Sequence, residues 1–166
     1  MQLSSLLSMV VIALTASSTV QAANPPKNSV GGLSGVNCLN AHNKARKEVG
    51  VPLLKWDENL AKKGKNWATH MEKNKFFGHN TPGKNDAQMN NLYSGTSCVD
   101  AVAAFYKEKN KLPKDRIVRA HNYQQYGHYT MMVWRKTTRV GCGRGPNKNV
   151  ACYYEVPGNM IGQAAY

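Results

Sequence analysis

The sequence predicts an α+β domain, three helices followed by an antiparallel sheet, in a chain made for export. Apolar side chains recur at helical spacing in three segments between Val36 and Lys111. From His128 the pattern changes to runs rich in Val, Thr, Tyr and Trp, separated by turns. Runs of helices and then runs of strands argue for α+β rather than alternating α/β. The third observation is the opening segment. Met1 to Ala23 carries no ionisable side chain, holds the apolar run Met9 to Leu14, and ends in Val20-Gln-Ala22-Ala23. That is the layout of a secretory signal peptide, and the run is too short to span a bilayer.

Residues 24–35 are rich in Pro, Gly, Asn and Ser and read as a flexible leader. The remainder, 36–166, is of a length for one domain. Leu39, His42, Ala45, Arg46 and Val49 form a helical stripe that Gly50 can stop. Asp57 stands where an N-cap should be, and Leu60, Gly64, Trp67, Ala68 and Met71 follow at helical spacing, so a second helix is expected over about 58–73. Residues 74–95 have no period and read as a long loop. A third helix starts near Ser97, with Asp100 at capping-box distance and an apolar face of Val99, Val102, Ala103 and Tyr106. Three strands are expected, over 128–135, 137–143 and 149–156.

Four cysteines, Cys38, Cys98, Cys142 and Cys152, in an exported chain point to two disulfides, and sequence alone does not choose among three pairings. Cys142 and Cys152 flank a turn-rich segment, so a hairpin would bring them together and leave Cys38 for Cys98. On the loop-entropy model such bridges stabilise by about 3 and about 4 kcal/mol. A zinc site is the rival reading, and the absence of any CxxC pair counts against it.

The formal net charge is +13, mostly from lysine. Such a chain attracts anionic membrane or acidic polysaccharide through its field, and export argues against nucleic acid as the partner. No P-loop, GxSxG, HExxH or GxGxxG is present. The ionisable candidates are His79, Glu108 and His128, since imidazole and carboxylate can share a metal or exchange a proton.

Several runs then stand in a recognisable order. They are Leu39-Asn-Ala-His-Asn-Lys-Ala-Arg46, Val51-Pro-Leu-Leu-Lys-Trp-Asp57 with Leu60-Ala61, His128-Tyr-Thr-Met-Met-Val-Trp134, Arg139-Val-Gly-Cys-Gly143, and Val150-Ala-Cys-Tyr-Tyr-Glu-Val-Pro-Gly-Asn159. Together they resemble the CAP family of cysteine-rich secretory proteins, insect venom antigen 5 and plant pathogenesis-related protein 1. The resemblance implies a three-layer α-β-α sandwich with a central antiparallel sheet, and a surface cleft of two histidines and two glutamates. The histidines fall on His79 and His128 and one glutamate on Glu108. The other belongs to a Gly-Glu-Asn-Leu motif that reads Met89-Asn-Asn-Leu92 here, so Asn90 replaces an acid; Met131 likewise replaces a glutamine.

An amide is a poor zinc ligand, so no cofactor is required, and a divalent cation, zinc or magnesium, should bind weakly through His79 and His128. Asp86 and Glu72 are the other acids nearby in sequence. The cysteines are explained as bridges, and the motif sets no Ser or Cys beside His128 as a nucleophile. The resemblance also implies exported sterol and lipid binders. Their loop corresponds to about residues 85–96, where Leu92 and Tyr93 are the apolar candidates. The expectation is a secreted, non-enzymatic, monomeric protein binding sterol or another lipid. The alternatives are a metal-dependent hydrolase and a cationic protein acting on anionic surfaces. A protein receptor is a further partner to be expected.

Overall fold

The computed structural model describes residues 33–79 and 90–166. The expected signal peptide over 1–23 and most of the leader lie outside the described residues, as does Asp86. Leu33 and Ser34, assigned to the leader, belong to the domain. Leu33 is buried, and the Ser34 hydroxyl accepts from Asn37 N–H at 3.2 Å to cap α1 (Gly35–Glu48).

In chain order α1 is followed by β1 (Lys55–Trp56), α2 (Glu58–Lys73), β2 (Asn90–Ser94), α3 (Cys98–Lys107), α4 (Gly127–Met132), β3 (Arg139–Arg144) and β4 (Asn149–Glu155). The strands form one sheet in the order β1-β3-β4-β2. Pairing is antiparallel for β3–β4 and β4–β2 and parallel for the two-residue β1 on β3, so the sheet is mixed at one edge rather than wholly antiparallel.

Alternation along β4 creates the layers. Val150, Cys152 and Tyr154 join one core with Ala45 of α1, Phe105 of α3 and Met131 of α4. Ala151 and Tyr153 point the other way and pack with Leu60, Ala68 and Met71 of α2. Successive strand side chains face opposite sides, so one strand serves two cores. Alpha-helix α2 lies very close to β3. A Cβ on Gly141 or Gly143 would run into the α2 backbone around Ala61 and Lys65, so those strand positions need glycine for the approach.

The Asp57 carboxylate accepts from the N–H groups of Asn59 (2.9 Å) and Leu60 (3.0 Å), which starts α2 where the sequence places it. Ser97 caps α3 in the same way, through Asp100 N–H at 3.2 Å. Three further expectations fail. The apolar face expected for α3 is displaced, since Val99 and Ala103 are exposed and Cys98, Ala101, Val102 and Phe105 are the buried residues. His128 to Met132 is helical, not a strand, because Glu108 caps this stretch and Tyr129 to Met132 are all buried. Residues 90–94, expected as loop, form β2 by pairing with β4 along its whole length.

The disulfides are Cys38–Cys98, tying α1 to α3, and Cys142–Cys152, tying directly opposed residues of β3 and β4. All four sulfurs lie within 4.8 Å of one another, and all are engaged in bridges, so they form no thiolate site. Arg46 is fully buried, and its guanidinium donates to four carbonyls, those of Pro52 (2.7 Å), Met132 (3.0 Å), Trp134 (2.9 Å) and Thr137 (3.0 Å). Burial pulls this group down to about 10, so it remains charged at neutral pH. The stripe residue of the first helix is thus the clamp that holds the turn between α4 and β3.

Candidate functional site

Each cleft residue is held by a local feature of the chain. After α2, Phe76 N–H donates to Met71 O at 3.0 Å and the Trp67 indole N–H donates to Gly78 O at 3.0 Å. These bonds fold residues 74–79 back along the helix and set His79 at the cleft edge. Asn90 opens β2 and is buried. Glu108 follows the last turn of α3, and His128 sits in the first turn of α4 rather than at the start of a strand.

The structure brings His79, Asn90, Glu108 and His128 together as two pairs. His79 Nδ1 is 2.7 Å from Asn90 Oδ1, and His128 Nδ1 is 2.7 Å from Glu108 Oε1. The two imidazole rings face each other, with centroids 6.5 Å apart and planes 27° from parallel. The other side of His128 stacks on Phe105 at 5.0 Å and 11°. A carboxylate only accepts, so His128 carries its proton on Nδ1, and in the neutral ring Nε2 keeps its lone pair. The same holds for His79 against the Asn90 carbonyl oxygen.

Glu108 is fully engaged. Its Oε2 accepts from the N–H groups of His128 (2.9 Å) and Tyr129 (3.2 Å) while Oε1 takes the imidazole. This carboxylate starts α4 and orients a ring, with Oε2 accepting two bonds and Oε1 one. The Asn90 amide nitrogen is buried and has no partner among the described residues.

Two imidazole nitrogens with lone pairs are half of a zinc ligand set. Among the described residues the cysteine quartet is the one group of three or more His, Cys, Asp or Glu ligand atoms that comes together. Glu72 does not compensate, because its carboxylate accepts from the N–H groups of Asn147 (2.8 Å), Lys148 (3.0 Å) and Asn149 (2.9 Å) in the β3–β4 turn. The donor set does not fit a tightly held zinc. No serine, threonine or cysteine side chain hydrogen-bonds either imidazole among the described residues, so no activated nucleophile is assembled among them.

The candidate lipid contacts are otherwise engaged. Leu92 is buried among Leu60, Ala68, Met71 and Tyr153, and Tyr93 packs against the larger core. Both anchor β2. Residues 85–89 of the expected lipid loop lie outside the described residues.

Sequence reasoning missed the support beneath the cleft. His42 is wholly buried. Its Nδ1 donates to Cys38 O at 2.9 Å and its Nε2 lies 2.9 Å from the Tyr154 hydroxyl. Asn91 donates from its amide nitrogen to both the Tyr154 hydroxyl (3.1 Å) and His128 O (2.9 Å). A buried polar chain therefore runs from α1 to the cleft helix. Burial is the main cause that drops the His42 imidazole to about 4, with the Arg46 charge adding to it, and burial raises the Tyr154 phenol. The available signal was the HNxxR pattern, whose histidine and arginine share one face of α1.

Residues 39–154 match the model of the cysteine-rich secretory protein family, CAP. Pathogenesis-related protein 1B of Nicotiana tabacum is 37% identical over 134 residues, covering 77% of this chain and 78% of its own. The basic form of pathogenesis-related protein 1 from the same plant is 32% identical over 141 residues, covering 77% of this chain and 73% of its own. Among solved structures, that of NaASP2 with Zn2+ superposes with a TM-score of 0.68 at 23% identity, covering 85% of this chain and 88% of that one. This last likeness is one of fold.

Proposed function

Starting from the fact that this chain belongs to the CAP family, we propose that it is a secreted, non-enzymatic protein that acts by binding a lipid, in defence or host interaction. The observation that carries the non-enzymatic part is the state of Glu108. Both oxygens of this carboxylate accept hydrogen bonds from the chain itself, two from backbone N–H groups and one from the His128 imidazole, which supports a positioning part for Glu108 over an acid or base one. Asn90 stands in place of the second acid, and among the described residues no nucleophile stands beside His128. NaASP2 is described with zinc; in this chain the acid-poor cleft supports weak metal binding only.

Export is supported by the two disulfides and by the relatives of the pathogenesis-related class. Lipid as the ligand class is supported by what the family resemblance implies and by apolar side chains left at the surface, among them Phe77 and Ile161, 53% and 55% exposed. Leu92 and Tyr93 do not carry this reading, since both are engaged in packing.

The test is binding of radiolabelled cholesterol and of a fatty acid to the mature protein, in solution, at low and at physiological salt. Saturable binding that is indifferent to salt is expected. Absence of binding to either lipid overturns the lipid assignment.

A further inference from the structure

The side of α2 turned away from the sheet forms, with the segment that follows it, a surface that the cleft does not use. The helix buries Leu60, Ala61, Gly64, Ala68 and Met71. Its opposite side exposes Lys62, Lys65 and Lys73, which share one stripe at helical spacing, and Lys75 follows, also exposed. The two acids of the helix are drawn elsewhere. Glu72 accepts from the backbone of residues 147–149, and Glu58 accepts from the Trp56 indole at 3.1 Å.

At the end of this stripe stand Phe76 and Phe77, 40% and 53% exposed. They are not loose. Lys75 takes a φ of 55°, which turns the chain, and the Phe76 N–H bond to Met71 O closes the helix. The Phe76 ring meets Trp67 edge-on at 5.8 Å and His70 at 5.6 Å, and Trp67 and His70 stack at 5.1 Å. The fold thus builds a small aromatic platform and leaves adjacent phenylalanines in water beside a row of cations.

We propose that Phe76 and Phe77, with Lys62, Lys65, Lys73 and Lys75, form a docking surface for an anionic lipid bilayer. The phenyl rings enter below the headgroups and the ammonium groups meet the headgroup charge. Apolar rings beside lysines are the composition of interfacial anchors, and each lysine near an anionic leaflet adds to the attraction. Charge alone would serve an acidic polysaccharide equally. The phenylalanine pair decides for a bilayer, because a ring with no polar group gains most from the acyl region. The inference rests on the lipid reading only for its choice of surface. The cholesterol and fatty-acid assay contains no bilayer, so the two fail separately.

The experiment is co-sedimentation of the mature protein with phosphatidylcholine vesicles and with vesicles in which a third of the lipid is phosphatidylserine. Expected are salt-sensitive binding to the anionic vesicles and little to the neutral ones. Phe77→Ser, which removes a mostly exposed ring, should keep the wild-type circular dichroism and melting, and weaken vesicle binding about tenfold. Lys62→Glu with Lys65→Glu and Lys73→Glu should abolish it. Acyl-chain brominated lipid should quench tryptophan fluorescence, and Trp67→Phe should remove the quenched component. Vesicle binding unchanged in folded Phe77→Ser, or no quenching, overturns the proposal in favour of charge alone. Tighter binding to heparin than to the vesicles, equal in wild type and Phe77→Ser, overturns it in favour of an acidic polysaccharide. Absence of wild-type binding to the anionic vesicles overturns it outright.

Discussion

His42 and His128 are the same residue in two different trades, and one asparagine touches both neighbourhoods. His42 is sealed between α1 and β4 with both ring nitrogens engaged, by Cys38 O and by the Tyr154 hydroxyl. His128 and His79 stand at the surface with Nδ1 engaged, by Glu108 and Asn90, and Nε2 left over. Asn91 donates to Tyr154 on one side and to the His128 carbonyl on the other. Among the described residues the cleft histidines leave hydrogen-bonding capacity unfilled, and the interior histidine has none left. A fully satisfied buried network makes one arrangement of the core, which is what a surface cleft needs beneath it.

The interior side breaks hardest. Arg46→Met should destabilise the fold by about 4 kcal/mol, since it leaves several buried carbonyls without a donor. Denaturant unfolding measures this, and a loss under about 1 kcal/mol would show that water reaches those carbonyls. Next comes pH. The His42 imidazole is held at about 4 against an ordinary value of 6.5, so the unfolded chain binds its proton first. Stability from this group is full above 6.5 and falls as pH drops toward 4, by roughly 3 kcal/mol in all. His42→Gln should flatten the pH dependence between 6.5 and 5, whatever it does to stability at neutral pH; an unchanged slope there contradicts the buried neutral imidazole.

On the cleft side effects on folding shrink and effects on ligands grow. Asn90→Glu restores an acid beside His79 and should tighten zinc binding by about tenfold or more, read by calorimetry. Equal affinity in both forms would mean that position 90 does not govern the cleft. Smallest is His128→Ala, which loses the stack on Phe105 and one bond to Glu108. It should cost about 1 kcal/mol. A cost matching that of Arg46→Met would erase the distinction between the two regions.

The same contrast governs what the sequence made legible. The limits of α2 could be read because Asp57 caps it and its apolar residues keep helical spacing over a full 16 residues. Residues 127–132 could not, because a six-residue run with four consecutive buried side chains has too little polar face to reveal its period, and Tyr and Thr there favour a strand. Tertiary context wins through Glu108, which caps the helix from 20 residues away. β2 has no pattern of its own and exists by pairing with β4. The cleft was legible through motif resemblance alone, since its partners sit 11 and 20 residues apart with no periodic relation. The His42–Tyr154 bond, across 112 residues, left no local trace. Leu92 and Tyr93 looked like ligand contacts because apolar residues in a supposed loop have no visible core to join; the strand supplies that core.

The most direct test of a cleft built to bind rather than to react is a turnover assay. Peptide and lipid-ester substrates would be incubated with the mature protein in zinc and in chelator, beside His128→Ala. The account predicts background hydrolysis in every arm. Hydrolysis by the wild type that disappears both with chelator and in His128→Ala would contradict it.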